Sequence, residues 1–174
     1  IPSIVLMENA AREVARICIN EIKDIPSPKV LIFVGKGNNG GDGFALARLL
    51  NDRNIECKLA LLFDKDKFST DAEINYRAAV NSGLYIITDI TEAVIETVRS
   101  DVVVDAIFGT GISRNVSGLY ADVVNIINMY SKKVISIDIP SGINSDDGRI
   151  MGLAVKADIT VTFALPKIGM LLYP

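Results

Sequence analysis

The chain predicts an α/β fold with a parallel sheet between two helix layers, and three observations carry that prediction. Short β-branched apolar segments alternate with segments of helical periodicity from one end to the other, the pattern of successive βα units. The apolar runs, Leu59-Ala60-Leu61-Leu62-Phe63 among them, lack the in–out alternation of a half-exposed strand and suit strands buried on both faces. Between the first strand and its helix lies G-x-G-x-x-G at Gly35, Gly37 and Gly40, and five glycines fall within the nine residues from Gly35 to Gly43.

Each element has its own warrant. Met7 to Ile22 places Ala10, Ala11, Val14, Ala15, Cys18, Ile19 and Ile22 at helical spacing, and Pro26 and Pro28 stop the helix. Val30–Val34 is the first strand, and Phe44–Arg53 is the helix expected after the glycine loop. Cys57–Phe63 is the second strand. Ser69 or Thr70 caps a helix that Gly83 ends. Tyr85–Thr88 is a short strand, and Asp89 with Glu92 resembles a capping box for a helix to about Arg99. Val102–Phe108 is a strand with Asp105 inside it, and a loop from Gly109 to Gly118 leads to a helix over Leu119–Ser131. That helix is expected to bury Leu119, Val123, Ile126, Ile127 and Tyr130. Val134–Ile139 and Ile159–Phe163 are the last strands. Right-handed crossovers would bring every strand-to-helix loop to one sheet edge, where ligands bind in such folds.

At 174 residues the chain is read as one domain, since about 150 residues already bury near 70% of the unfolded surface. Its net charge of −3, with no Lys/Arg cluster, excludes a nucleic-acid surface. No apolar run approaches the roughly 20 residues that cross a bilayer. The sequence has no histidine, which excludes Ser-His and Cys-His nucleophiles and leaves acid–base work to Asp, Glu, Lys or Tyr. Cys18 and Cys57, without a C-x-x-C, read as buried thiols in a reducing compartment. The chain starts at Ile1 without methionine or a signal-peptide pattern. Both ends look cut, and the expectation is one domain of a longer cytoplasmic protein.

Several polar residues stand where chemistry happens. Asp105 lies in an apolar strand, where a carboxylate is costly unless paired. It either accepts loop N–H groups or ligates a cation. Asp138 ends a strand just before Pro140 and exposes Ser141 in the following turn. It either caps that turn or serves as an acid–base or substrate-hydroxyl carboxylate. The Gly109–Arg114 loop permits close backbone approach, and Arg114 is either a phosphate clamp or a solvated charge. Lys167 is a comparable cation beyond the last strand, with a surface role as its alternative. Asp158, at the opposite edge, is structural. Asp42 is expected to cap the helix that follows it, with contact to a ligand as its alternative. Gly40 is read as giving either clearance for a ligand or backbone freedom, so Gly40→Val is expected to block binding with little loss of fold.

Taken together, GNNGGDGFALARLL, VVVDAIFGTGISRNVSG and SIDIPSGINSDDG, with TFALPKIG after them and IPSIVLMENAAREVA before, closely resemble the NAD(P)H-hydrate epimerases, the YjeF N-terminal domain family. The resemblance covers essentially the whole chain. It implies a Rossmann-like three-layer α/β/α sandwich that interconverts the R and S forms of NADHX or NADPHX at C6 of the hydrated nicotinamide, as metabolite repair. It also implies a homodimer and an ADP- or ATP-dependent dehydratase, fused or separate, that restores the cofactor. The substrate residues carried over are Asn38, Asn39, Gly40, Gly41 and Asp42, then Gly109, Thr110, Gly111, Ile112, Ser113, Arg114 and Asn115, with Asp138 as the catalytic carboxylate. One potassium ion per subunit is implied at Asn39, Asp105 and Ser141. Animal members carry a lysine in the second loop where this chain has Ser113-Arg114, so no lysine role carries over there.

Two other classes remain open. A nicotinamide dehydrogenase domain would place Asp64 on the cofactor ribose, although no hydride-site residues follow. A non-catalytic binding module of the same fold is the other, against which stand Asp138 and the intact glycine loops.

Overall fold

A computed structural model describes residues 1–63 and 68–172. The elements run α1 (Ser3–Ile22), β1 (Lys29–Val34), α2 (Asn38–Asn51), β2 (Glu56–Ala60), α3 (Thr70–Asn81), β3 (Tyr85–Ile87), α4 (Ile90–Arg99), β4 (Val102–Ala106), α5 (Leu119–Tyr130), β5 (Val134–Ile137), β6 (Ile159–Val161) and α6 (Ile168–Leu172). The six strands form one sheet in the order β3-β2-β1-β4-β5-β6, parallel at every pairing. The order reverses beside β1, so β1 and β4 flank a crevice at their C-terminal ends.

Both faces of the sheet are covered, as the uniform apolar runs require. Val30, Ile32 and Val34 of β1 pack into a core with α1 and α2, while Leu31 and Phe33 pack with α4 and α5. Across β4 the same alternation puts Val104 and Ala106 on the α2 side and Val103 on the α5 side. Asp105 shares the face of Val103, and its register partners are Phe33 on β1 and Ser136 on β5. A carboxylate is thereby threaded through the middle of the sheet, fully enclosed.

Several boundaries differ from the sequence expectation. α1 starts at Ser3, four residues before Met7, with Pro2 in an extended conformation at its N-cap. α2 starts at Asn38, so the supposed loop residues Asn38–Gly43 are already helical. Asn and Gly are poor helix formers, and here packing overrides propensity, since Asn39 through Ala47 are all buried. β2 ends at Ala60 and β4 at Ala106, where the chain turns into the site. In α5 the buried residues are Val123, Val124, Ile126 and Ile127, whereas Leu119 and Tyr130 are exposed. α6 had no periodic signal because it is only five residues long. The expected caps form: Ser69 accepts from the Ala72 N–H at 3.4 Å and Asp89 from that of Glu92 at 2.9 Å. Gly83 ends α3 at φ +75°.

Candidate active site

Three segments meet at the crevice: the β1–α2 junction, the loop after β4, and the turn after β5. The first is held by the Gly35 N–H, which donates to the Ala106 carbonyl at 2.9 Å and ties the end of β1 to the end of β4. A Cβ on Gly40 would sit 1.8 Å from the Gly35 carbonyl oxygen, and one on Gly35 would sit 2.0 Å from that of Ile107. These glycines exist for backbone packing. The expectation that Gly40→Val spares the fold is therefore overturned, because its side chain would meet backbone before any ligand did. Gly41 likewise faces Met7 and Ala72 rather than the cleft.

The start of α2 lines the cleft. Its N-cap is Gly37, which has no side chain to satisfy the first-turn N–H groups. Those donors and the positive end of the helix dipole open toward the cleft. Asp42 lies inside this helix and caps nothing, so the capping expectation fails.

Beneath the cleft is a closed polar knot. Asp105 accepts from the Ile107 N–H at 3.2 Å, the Ser136 hydroxyl at 2.8 Å, the Ser141 N–H at 2.8 Å and the Ser141 hydroxyl at 2.6 Å. Burial pushes its pKa up, and these four donors pull it back. Ser141 has one hydroxyl proton, given to Asp105, so its oxygen is free to accept from the Phe108 N–H at 2.9 Å. Asn39 donates its amide to the Phe108 carbonyl at 2.9 Å. Its own carbonyl, Oδ1, is buried and has no hydrogen-bond partner among the described residues. Of the two readings for Asp105, loop N–H groups are thus part of the answer, and the unpaired Asn39 oxygen is the one polar atom of this cluster that the described residues leave without a partner. Among the described residues no cluster of three His, Cys, Asp or Glu side chains forms.

Asp138 stands at the mouth of β5 with φ +69°, a left-handed conformation that few non-glycine residues adopt and Asp tolerates. This bend takes the chain out of the sheet before Pro140. Asp138 is ion-paired with Lys167, whose ammonium also donates to the Thr162 hydroxyl at 2.9 Å and the Phe163 carbonyl at 3.1 Å. All three ammonium donors are engaged, which excludes the surface role for Lys167. Gly109 fits against Asp138: a Cβ there would come within 3.2 Å of Oδ2.

Asn38, Asn39, Asp42, Gly109, Thr110, Gly111, Ile112 and Asp138 line one cleft of about 510 Å³. Ser113, Arg114 and Asn115 line an adjoining one of about 340 Å³, which shares Lys36, Phe108 and Tyr120 with the first. Arg114 is exposed there. Burial, and then the charge of Asp138, push Asp42 from the ordinary 3.8 to about 7. Lys36 and an aromatic wall went unrecognised in the sequence. Tyr120 stacks on Phe63 with centroids 4.0 Å apart and leans on Phe108 at 4.6 Å. Their only signal was position, an aromatic on either side of the second glycine loop. Asp64 lies outside the described residues. Asp158 accepts from the Val134 N–H at 2.7 Å at the opposite edge, as expected of a structural residue.

The site can be set beside known proteins. A bifunctional NAD(P)H-hydrate repair enzyme Nnr of Thermofilum pendens is 43% identical over 98% of this chain, which spans 33% of that relative's length. An NAD(P)H-hydrate epimerase of Oenococcus oeni is 42% identical over 98% of this chain and 79% of its own. The crystal structure of yeast ynu0 superposes with a TM-score of 0.87, covering 98% of this chain and 74% of the yeast chain at 20% identity, which is a likeness of fold. Residues 3–169 match the family model for the YjeF-related protein N-terminus, and the chain belongs to that family.

Proposed function

We propose that this chain is an NAD(P)H-hydrate epimerase, interconverting the R and S forms of NADHX and NADPHX at C6 of the hydrated nicotinamide. One observation carries the reading: a carboxylate able to transfer a proton, Asp138, lines the same cleft as the uncapped start of α2, so helix N–H donors for an anion and an acid–base group meet in one cavity. The names of the two curated relatives above support it.

C6 of the hydrate bears a hydroxyl next to ring nitrogen N1, a carbinolamine. The N1 lone pair expels that hydroxyl once it is protonated, and water returns to C6 from the other side. Asp138 is assigned the proton transfer, with Lys167 fixing its orientation. The first-turn N–H groups of Asn38–Gly40, Lys36 and the Gly109–Asn115 loop, with Arg114, hold the phosphates, and the Phe108–Tyr120 wall excludes water from the ring.

The residues present fit a monovalent cation. Asn39 Oδ1, Asp105 and Ser141 offer all-oxygen donors, and the amide oxygen has no hydrogen-bond partner among the described residues. Potassium there would supply positive charge that locks the three segments together, and it takes no part in bond making. A homodimer, a cytoplasmic setting and a fused or separate ADP- or ATP-dependent dehydratase belong to the same reading. The free, buried thiols of Cys18 and Cys57 are in keeping with a reducing compartment.

The experiment is Asp138→Asn, assayed on mixed epimers with an S-specific dehydratase. Asn also tolerates the left-handed conformation, so the variant should fold and keep NADP⁺ binding within about tenfold. It should lose epimerisation by at least ~10²-fold after subtraction of the spontaneous rate. Near-normal turnover would remove Asp138 from the role.

A further inference from the structure

Asp42 has no task in the chemistry above, yet it is the odd carboxylate of the cleft. Asp105 has four donors and Asp138 has Lys167, whereas Asp42 has no hydrogen bond or ion pair among the described residues. It is 9% exposed, and it lines the cleft together with Asp138. A buried, unpartnered carboxyl is costly as an anion and is retained as a neutral acid. Its rise to about 7 agrees with that. The two groups come from different elements, Asp42 from α2 and Asp138 from the end of β5.

Epimerisation by loss and return of water needs a proton donor on one ring face and an acceptor on the other. A single carboxyl serves both faces only if the ring turns over in the site. We infer that Asp42 is the second proton-transfer residue of the epimerisation, acting on the ring face opposite Asp138. The inference rests on the epimerase reading.

The step balances without any further reagent. The Asp42 carboxyl gives its proton to the C6 hydroxyl, and the C6–O bond breaks with its electron pair leaving on water. The N1 lone pair forms the C6=N1 iminium. A water on the other face adds through an oxygen lone pair to C6, the π pair returns to N1, and the Asp138 carboxylate takes the water's proton. The reverse reaction, or exchange with solvent, resets the pair. Two carboxyls set apart by environment, one keeping its proton to higher pH and one ion-paired, suit this division of labour.

The test incubates each separated epimer of NADPHX with the protein in ¹⁸O-water and reads two things, inversion and label in the uninverted epimer. With Asp42→Asn, inversion should fall at least ~10²-fold. One epimer, the one whose hydroxyl faces Asp138, should still exchange its oxygen, because Asp138 can remove and return water on its own side. Asp138→Asn should give the mirror result, with exchange surviving only in the other epimer. Near-normal inversion by Asp42→Asn overturns the inference. So does loss of exchange from both epimers in a variant that melts normally and binds NADP⁺, since that pattern means Asp42 only positions the substrate. If Asp42→Asn does not fold, Asp138→Asn decides alone: absence of exchange from either epimer overturns the role of Asp42. Wild-type protein that does not accelerate inversion at all overturns the epimerase reading instead, a separate result.

Discussion

The two ends of the sheet treat their carboxylates in opposite ways. At the N-terminal end Asp101 accepts the Lys29 N–H at 3.0 Å and the Lys132 ammonium at 3.0 Å, and both lower its pKa. Glu21 pairs with Lys133, whose hydrogen bond lowers it too, and Asp158 caps the start of β5. At the C-terminal end burial raises both Asp105 and Asp42, and Asp138 sits on a left-handed backbone. One edge lets acids ionise where solvent and cations support them. The other holds acids where ionisation is costly. Stability is made at the first edge and partly given up at the second, around the cleft.

Removing the centre of that knot should have the largest effect on stability. Asp105→Ala leaves the Ser136 hydroxyl and the Ile107 and Ser141 N–H groups buried without an acceptor, each worth ~1–3 kcal/mol. A loss of about 3 kcal/mol or more is expected, roughly 10 °C in Tm for a domain of this size. The wild-type protein should melt higher in potassium than in lithium, and the variant should melt alike in both. Identical wild-type curves in the two salts would remove the cation while leaving the hydrogen-bond argument standing. A variant as stable as wild type would break the contrast between the edges.

How much of this could be read from the sequence follows from what each feature depends on. Strand and helix types are local, and β-branched runs and 3.6-residue spacing exposed nearly all of them. The parallel sheet followed from strands buried on both faces. The start of α2 was missed because Asn38–Asp42 has poor helix propensity, and only the close approach of Gly40 to Gly35 makes the turn there. The candidate residues were visible through the resemblance, but their electrostatics were not. Lys167 reaches Asp138 across 29 residues of sequence, and the donors of Asp105 come from three separate segments. Nothing local distinguishes a helical Asp that caps from one that is buried beside another acid.

Asp42 gives an effect of the opposite sign, and one that depends on pH. Its folded value, about 7, lies above the ordinary 3.8. Below about 3.8 both folded and unfolded chains hold the proton, and no cost arises. Between about 4 and 7 the unfolded chain ionises first, so stability falls as pH rises, and above about 7 the loss is constant. The charged groups around it are Asp138 with its partner Lys167, and Lys36 on the β1–α2 loop. Asn cannot ionise, so Asp42→Asn should melt above wild type at pH 8, with the difference closing by about pH 4. A difference that does not vary with pH would show that Asp42 is not held as a neutral acid.

The smallest effect is expected at the opposite edge, from Asp101→Asn. An amide oxygen can still accept the Lys29 N–H, so the variant loses only the partly exposed ion pair with Lys132. Such pairs are worth about 0–1 kcal/mol. The sign is the reverse of that at Asp42. The folded pKa of Asp101 is depressed, so its contribution is present above the ordinary 3.8 and disappears as pH falls through the lower folded value. Asp101→Asn should therefore melt slightly below wild type at pH 7 and nearly match it in acid, with less separation in high salt. Its turnover should be unchanged, because Asp101 lies at the far end of β4 from the cleft. Melting curves at pH 7 and pH 3, taken with and without salt, check the stability claim. A loss above ~2 kcal/mol, or a fall in turnover, would mean that the N-terminal edge does more than support the fold.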